Sequence, residues 1–245
     1  MSVKSSPDPS IESSDPLEYF ALARTIRKQV KACSSEESLP PGDIFYLWLQ
    51  LGMDDQSFTI SEEQWLNVID EAASLGVNWL VITLGDAVDS LTLANTMCLW
   101  AQQTYEMTVC VHTSQAGPSP ELESVITTLP RDHTYVLVEP EFADEFEDLR
   151  AQGVRVGLAN PAPHEGEAAC DFPYKMVFVD ASGNLYTCGL VAGEEEFLLG
   201  SVFRGSLDQI VHNPGLPHSV NALGTRPKQG CSGCPPLVAK YLCQK

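Results

Sequence analysis

The chain has 245 residues, and its 14 Lys and Arg stand against 33 Asp and Glu, a formal charge of −19. That balance argues against a nucleic-acid backbone or an anionic membrane as the main partner, because no basic patch of useful size can be assembled. Hydrophobic residues make up 44% of the sequence, enough for one large domain or two modest ones with a substantial core. No apolar run approaches the roughly 20 residues of a membrane span. Residues 1–15 are rich in Ser, Pro and Asp and lack the apolar centre of a secretory signal, so a cytoplasmic location is expected. Eight cysteines in that compartment are expected as metal ligands or free thiols, not disulfides.

Residues 1–14 read as a disordered tail. Asp15-Pro16 supplies an N-cap and a first-turn proline for a helix that ends near Ala32, beside the isolated Cys33. From residue 41 strands alternate with helices. The first strand is the aromatic-rich segment 43–51. Ser61 follows as an N-cap, with Gln64 at the capping-box position. Trp65, Val68, Ile69 and Ala72 recur at helical spacing until Gly76. Strands are expected at 78–83, 107–112, 134–138 and 154–158, with helices at 91–106, 120–129 and 141–152. Near-continuous apolar strands with helical crossovers mean a parallel sheet. Right-handed crossovers in sequential order put all the helices on one face. The expected fold is therefore α/β, a partial β/α barrel of about five parallel strands over residues 41–162. No Gly-rich phosphate loop follows the first strand, which removes the usual nucleotide-binding reading. Asp86, His112, Glu139 and Asn160 stand at strand C-terminal ends, where such sheets place functional groups. Trp48, Trp65, Trp79 and Trp100 read as core, as do Cys98 and Cys110.

After residue 162 the alternation stops, and a small α+β cysteine-rich module is expected over 163–245. Cys170 precedes an apolar strand at 174–180. Ala181-Ser182-Gly183-Asn184 provides turn chemistry, and Leu185-Tyr186-Thr187-Cys188 returns as a second strand. Phe197–Gly200 reads as a short buried element, and residues 206–211 as a small helix capped by Ser206. Cys231-Ser232-Gly233-Cys234 closes the set. Two thiols separated by two residues, with two more carried by a hairpin, form a four-thiolate site suited to zinc or an iron–sulfur cluster. Cys243 is a possible alternative ligand.

These residues resemble a known module. Cys170, Gly183 and Cys188, the text MVFVDASGNLYTC, the pair of segments Leu199-Gly200-Ser201-Val202 and Ser206–Ile210, and Cys231-x2-Cys234-Pro235 are together similar to the SPASM/twitch auxiliary-cluster domain of radical SAM enzymes. The resemblance implies a [4Fe–4S] cluster on Cys170, Cys188, Cys231 and Cys234, with zinc as the alternative. It also implies a protein partner, either an enzyme or a peptide substrate, and a partial radical SAM barrel upstream. Five cysteines in the C-terminal region fit the one-cluster twitch arrangement. The three-cysteine loop that defines radical SAM enzymes should follow the first strand. Here that loop, residues 50–58, contains no cysteine. The glycine-rich S-adenosylmethionine motif after the second strand is reduced to Leu84-Gly85-Asp86, of which Gly85 and Asp86 resemble a remnant and Leu84 stands where the methionine moiety would lie. The resemblance thus points to a degenerate member that is not expected to be a radical enzyme. Its alternative is an enzyme that still uses S-adenosylmethionine at the barrel mouth.

Overall fold

The computed structural model describes residues 44–52, 60–85, 88–159, 176–213 and 215–216. The predicted N-terminal helix lies outside them. Eight strands form one sheet in the order β5-β4-β3-β2-β1-β6-β7-β8. β1 (Tyr46–Gln50), β2 (Trp79–Thr83), β3 (Thr108–Thr113), β4 (Thr134–Val138) and β5 (Arg155–Leu158) are the predicted parallel strands, and each pairs with the next. Among the described residues the sheet does not close on itself, and it is a partial barrel.

Between the strands run α1 (Glu62–Ser74), α2 (Val88–Tyr105), α3 (Pro120–Thr128) and α4 (Glu147–Ala151). Ser61 caps α1 with the reciprocal hydrogen bonds its sequence predicts: Gln64 N–H donates to Ser61 Oγ at 3.3 Å, and Ser61 N–H to Gln64 Oε1 at 2.8 Å. α2 starts at Val88, three residues before the predicted start. The single helix expected over 141–152 is instead a 3-10 segment, Pro140–Phe146, running into α4. An unbroken α-helix would set Glu141 against Glu145 and Asp144 against Asp148, one turn apart, and those like charges oppose it.

The alternation of each strand divides its side chains between two faces. Leu47, Leu49, Leu80, Ile82, Val109, Val111, Val136 and Val138 pack against the buried faces of all four helices in one aliphatic core. The opposite face carries Tyr46, Trp48, Trp79, Val81, Cys110 and Leu137, and among the described residues none from an α-helix joins that cluster. The helices therefore lie on one side of the sheet, as sequential right-handed crossovers require.

The module extends this sheet. β6 (Met176–Val179) pairs parallel with the free edge of β1, making a sixth parallel strand. β7 (Asn184–Tyr186) and β8 (Leu198–Ser201) continue the sheet antiparallel. Helix α5 (Leu207–Val211), capped by Ser206, joins the helix-side core. Glu71 of α1 accepts the Leu207 N–H at 2.6 Å, pinning α5 to the barrel part. Among the described residues no helix is long and apolar enough to cross a membrane.

Candidate metal centre and strand-end site

The hairpin that carries Cys188 is built around Asp180. Its Oδ1 accepts from the N–H groups of Ser182 and Asn184 at 2.8 and 2.9 Å, and its Oδ2 from Asn184 Nδ2 at 3.1 Å. Gly183 takes the left-handed conformation, with φ at +80°, while Asn184 does not need it. A Cβ on Gly183 would also stand 2.7 Å from the Phe203 ring and 2.8 Å from Val202, so the turn requires glycine for space as well as for φ. The role of Asp180 was not read from the sequence, although an Asp three residues before a turn glycine is a signal for it.

Cys188 leaves β7 on the helix-free face. Its side chain is buried in a cluster with Trp48, Phe178, Tyr186, Val191 and Phe197. Val191 N–H donates to the Cys188 carbonyl at 3.3 Å, closing a tight turn. A thiolate donor in an apolar, aromatic setting fits a soft metal centre or an iron–sulfur cluster. Cys170, Cys231, Cys234 and Cys243 lie outside the described residues. Accordingly, among the described residues no three of His, Cys, Asp and Glu come together to hold a metal ion. Cys98 and Cys110 are fully buried in the two cores, as expected. Burial pushes the Cys98 thiol up to about 12, so it stays protonated at neutral pH.

A second group of side chains meets at the C-terminal ends of the strands. On the helix-free face, register places Gln50 beside Thr83 and Thr83 beside His112. Trp48 Nε1–H donates to Thr83 Oγ1 at 2.8 Å, Thr83 Oγ1 lies 3.1 Å from His112 Nδ1, and His112 Nε2 lies 3.1 Å from Glu139 Oε1. Of the four strand-end residues singled out from sequence, His112 and Glu139 are brought together, whereas Asp86 and Asn160 lie outside the described residues. His112 is buried, and the Glu139 side chain keeps 24% of its surface exposed. The face is thus graded along the strands, from Tyr46, Trp79 and Tyr135 at one end to hydrogen-bonding groups at the other. Gly85 follows β2, and its carbonyl accepts from Ser90 Oγ at 3.0 Å. Leu84 is buried in the helix-side core.

Comparison with known proteins bears on the cysteine module and on the fold. Residues 170–235 match the SPASM family, described as an iron–sulfur cluster-binding domain. No curated protein matches the chain. Among solved structures, the fold is similar to that of BtrN, crystallised with AdoMet and 2-DOIA. That match has a TM-score of 0.50 at 11% identity and covers 70% of this chain and 83% of that one. Streptococcus suis SuiB bound to S-adenosylmethionine aligns with a TM-score of 0.49 at 9% identity, covering 84% of this chain and 73% of that one. SuiB bound to its precursor peptide SuiA aligns with a TM-score of 0.44 at 9% identity, over 88% and 74%.

Proposed function

From a chain that carries a SPASM iron–sulfur cluster-binding domain on the fold of a radical SAM enzyme, we propose a cluster protein that serves a partner and does not itself generate radicals. Cys170, Cys188, Cys231 and Cys234 hold one [4Fe–4S] cluster, with Cys243 as the alternative fourth ligand. The module that holds it begins near residue 163. The protein works in the cytoplasm as electron relay, maturation factor or substrate-presenting partner of another protein. When bound, the cluster supplies one-electron transfer. The chain's own part is to fix Cys188 at the exit of the Asp180 hairpin and to keep water from its sulfur with Trp48, Phe178 and Phe197.

One contrast carries this reading. The C-terminal module keeps four cysteines in cluster-binding order, while the loop after β1, where three thiolates would be needed to open S-adenosylmethionine, contains none. Anaerobic purification followed by iron and sulfide analysis tests it. About four iron and four sulfide per chain with a 400 nm band are expected, and Ala at Cys170, Cys188, Cys231 or Cys234 should lower the content. Zinc at one equivalent with no sulfide would overturn the reading in favour of a structural zinc site.

The His112–Glu139 pair favours a second reading, an enzyme that uses S-adenosylmethionine at the strand ends through Gly85 and Asp86. It expects cluster-loaded protein to bind that ligand and Asp86→Ala to lose it. Calorimetry showing no heat of binding removes it.

A further inference from the structure

We propose that Trp48 is a positioning residue for Cys188, which makes the placement of that thiol depend on the hydrogen-bonded row at the far ends of β1 to β4. The proposal rests on the reading above only in taking Cys188 as a ligand.

Gly189, next in sequence to Cys188, sits directly on the indole. A Cβ at this position would stand 2.8 and 2.9 Å from two carbons of the Trp48 ring and 3.0 Å from a carbon of the Phe178 ring. The turn Cys188–Val191 therefore rests on Trp48, and any rotation of the ring displaces the turn or leaves a void beneath it. Among the described residues, a ring contact and a hydrogen bond orient the indole. Phe178 meets it edge-on, with centroids 5.1 Å apart and planes at 84°, and Thr83 takes its N–H at 2.8 Å.

The direction of the protons in the row follows from these groups. An indole nitrogen only donates, so the Thr83 hydroxyl accepts from Trp48 and has its own hydrogen for His112 Nδ1. A neutral His112 ring in this setting carries its proton on Nε2 and gives it to the Glu139 carboxylate. The opposite tautomer would set the Nε2 lone pair against a carboxylate oxygen. Every donor thus points from Trp48 toward Glu139, and the partly exposed carboxylate closes the row. A hydrogen-bonding group arriving at Glu139 competes for the last bond of a chain whose first bond orients the indole beneath Cys188.

Thr83→Val keeps the shape of residue 83 and removes its hydroxyl, Trp48→Phe removes the indole N–H together with the ring carbons that lie under Gly189, and Glu139→Gln alters the exposed end. In the metal-free full chain, alkylation of each cysteine is followed by peptide mapping, with the fully buried Cys98 as the control for global unfolding. Thr83→Val and Trp48→Phe are expected to speed alkylation of Cys188 about tenfold, the scale of one buried hydrogen bond, while Cys98 stays protected. Thr83→Val is also expected to move the ¹⁵N resonance of His112 Nδ1. In the iron-loaded protein the same variants should keep their iron content and shift the EPR g-values of the reduced cluster. A moved His112 resonance with an unchanged Cys188 rate would overturn the proposal. If Cys98 also becomes reactive in the first two variants, Glu139→Gln decides, with a two- to threefold acceleration expected on the same hydrogen-bond scale and an unchanged rate overturning it. Failure of the wild-type chain to take up iron and sulfide would refute the cluster reading alone, because the alkylation rates need no metal.

Discussion

Leu47, Leu49, Leu80 and Ile82 face the helices, whereas Tyr46, Trp48, Trp79 and Val81, alternating with them along the same two strands, face the other way. The first set is aliphatic and anonymous, since each side chain fills volume against a helix and any neighbour of similar shape would serve. The second set is mostly aromatic, and rings on that face have named polar partners. Trp48 donates to Thr83. Tyr135 stacks on Trp79 with centroids 5.7 Å apart, accepts a hydrogen bond from Arg155 at 2.9 Å, and has the Arg155 guanidinium over its ring. A large ring with a polar handle is specified in orientation as well as in burial. The comparison teaches that stability and specificity are divided between the two faces of one sheet, and that Cys188 and the His112–Glu139 pair lie on the specified face.

The comparison can be broken most strongly on the helix side. Leu80→Ala should cost about 2–5 kcal/mol, measured by urea unfolding, with cysteine spacing and iron uptake per folded chain unchanged. On the module, Gly183→Ala meets both a positive φ and the Phe203 ring. It should cost about 1–3 kcal/mol, and hydrogen exchange should place the loss in the β6–β7 hairpin before it reaches β3 and β4.

A pH series addresses the helix-side core through Cys98. Its thiol ionises near 9.0 when unfolded and at about 12 when folded. The unfolded chain therefore releases this proton first, and stability present below pH 9 falls by up to about 1.4 kcal/mol per pH unit between 9 and 12. Cys98→Val should remove that part of the slope in alkaline urea titrations. The smallest effect belongs to Ser61→Ala, about 1 kcal/mol from the lost cap. It should lower the melting temperature while leaving the ¹⁵N resonance of His112 where it is.

The parallel strands and the sidedness of the helices were legible because apolar runs such as Trp79–Thr83, bounded by Gly76 and Gly85, leave few alternatives. The Ser61 cap was legible for the same local reason. The partner of β6 was not, because Met176–Val179 is apolar throughout and a parallel pairing leaves no turn signature to reveal which edge receives it. At the strand ends, the positions of His112 and Glu139 were visible as the last residues of their strands, but the bond between Trp48 and Thr83 depends on register across two strands. Cysteine spacing gave the metal-binding character of the module. The packing of Gly189 on Trp48 is invisible in it, because only tertiary contact shows what a glycine makes room for.

The pairing of β6 with β1 also sets an order on assembly. β1 is the first strand of the sheet to leave the ribosome, and its register partners on one side, Trp79 to Thr83, follow soon after. On its other side Tyr46 waits for Met176, so this largely apolar strand keeps an unpaired edge through most of synthesis. Contacts this distant in sequence form late. The strand that closes the edge belongs to the segment that carries the cysteine hairpin, and completing the sheet and delivering Cys188 to Trp48 are therefore one event in the birth of the protein.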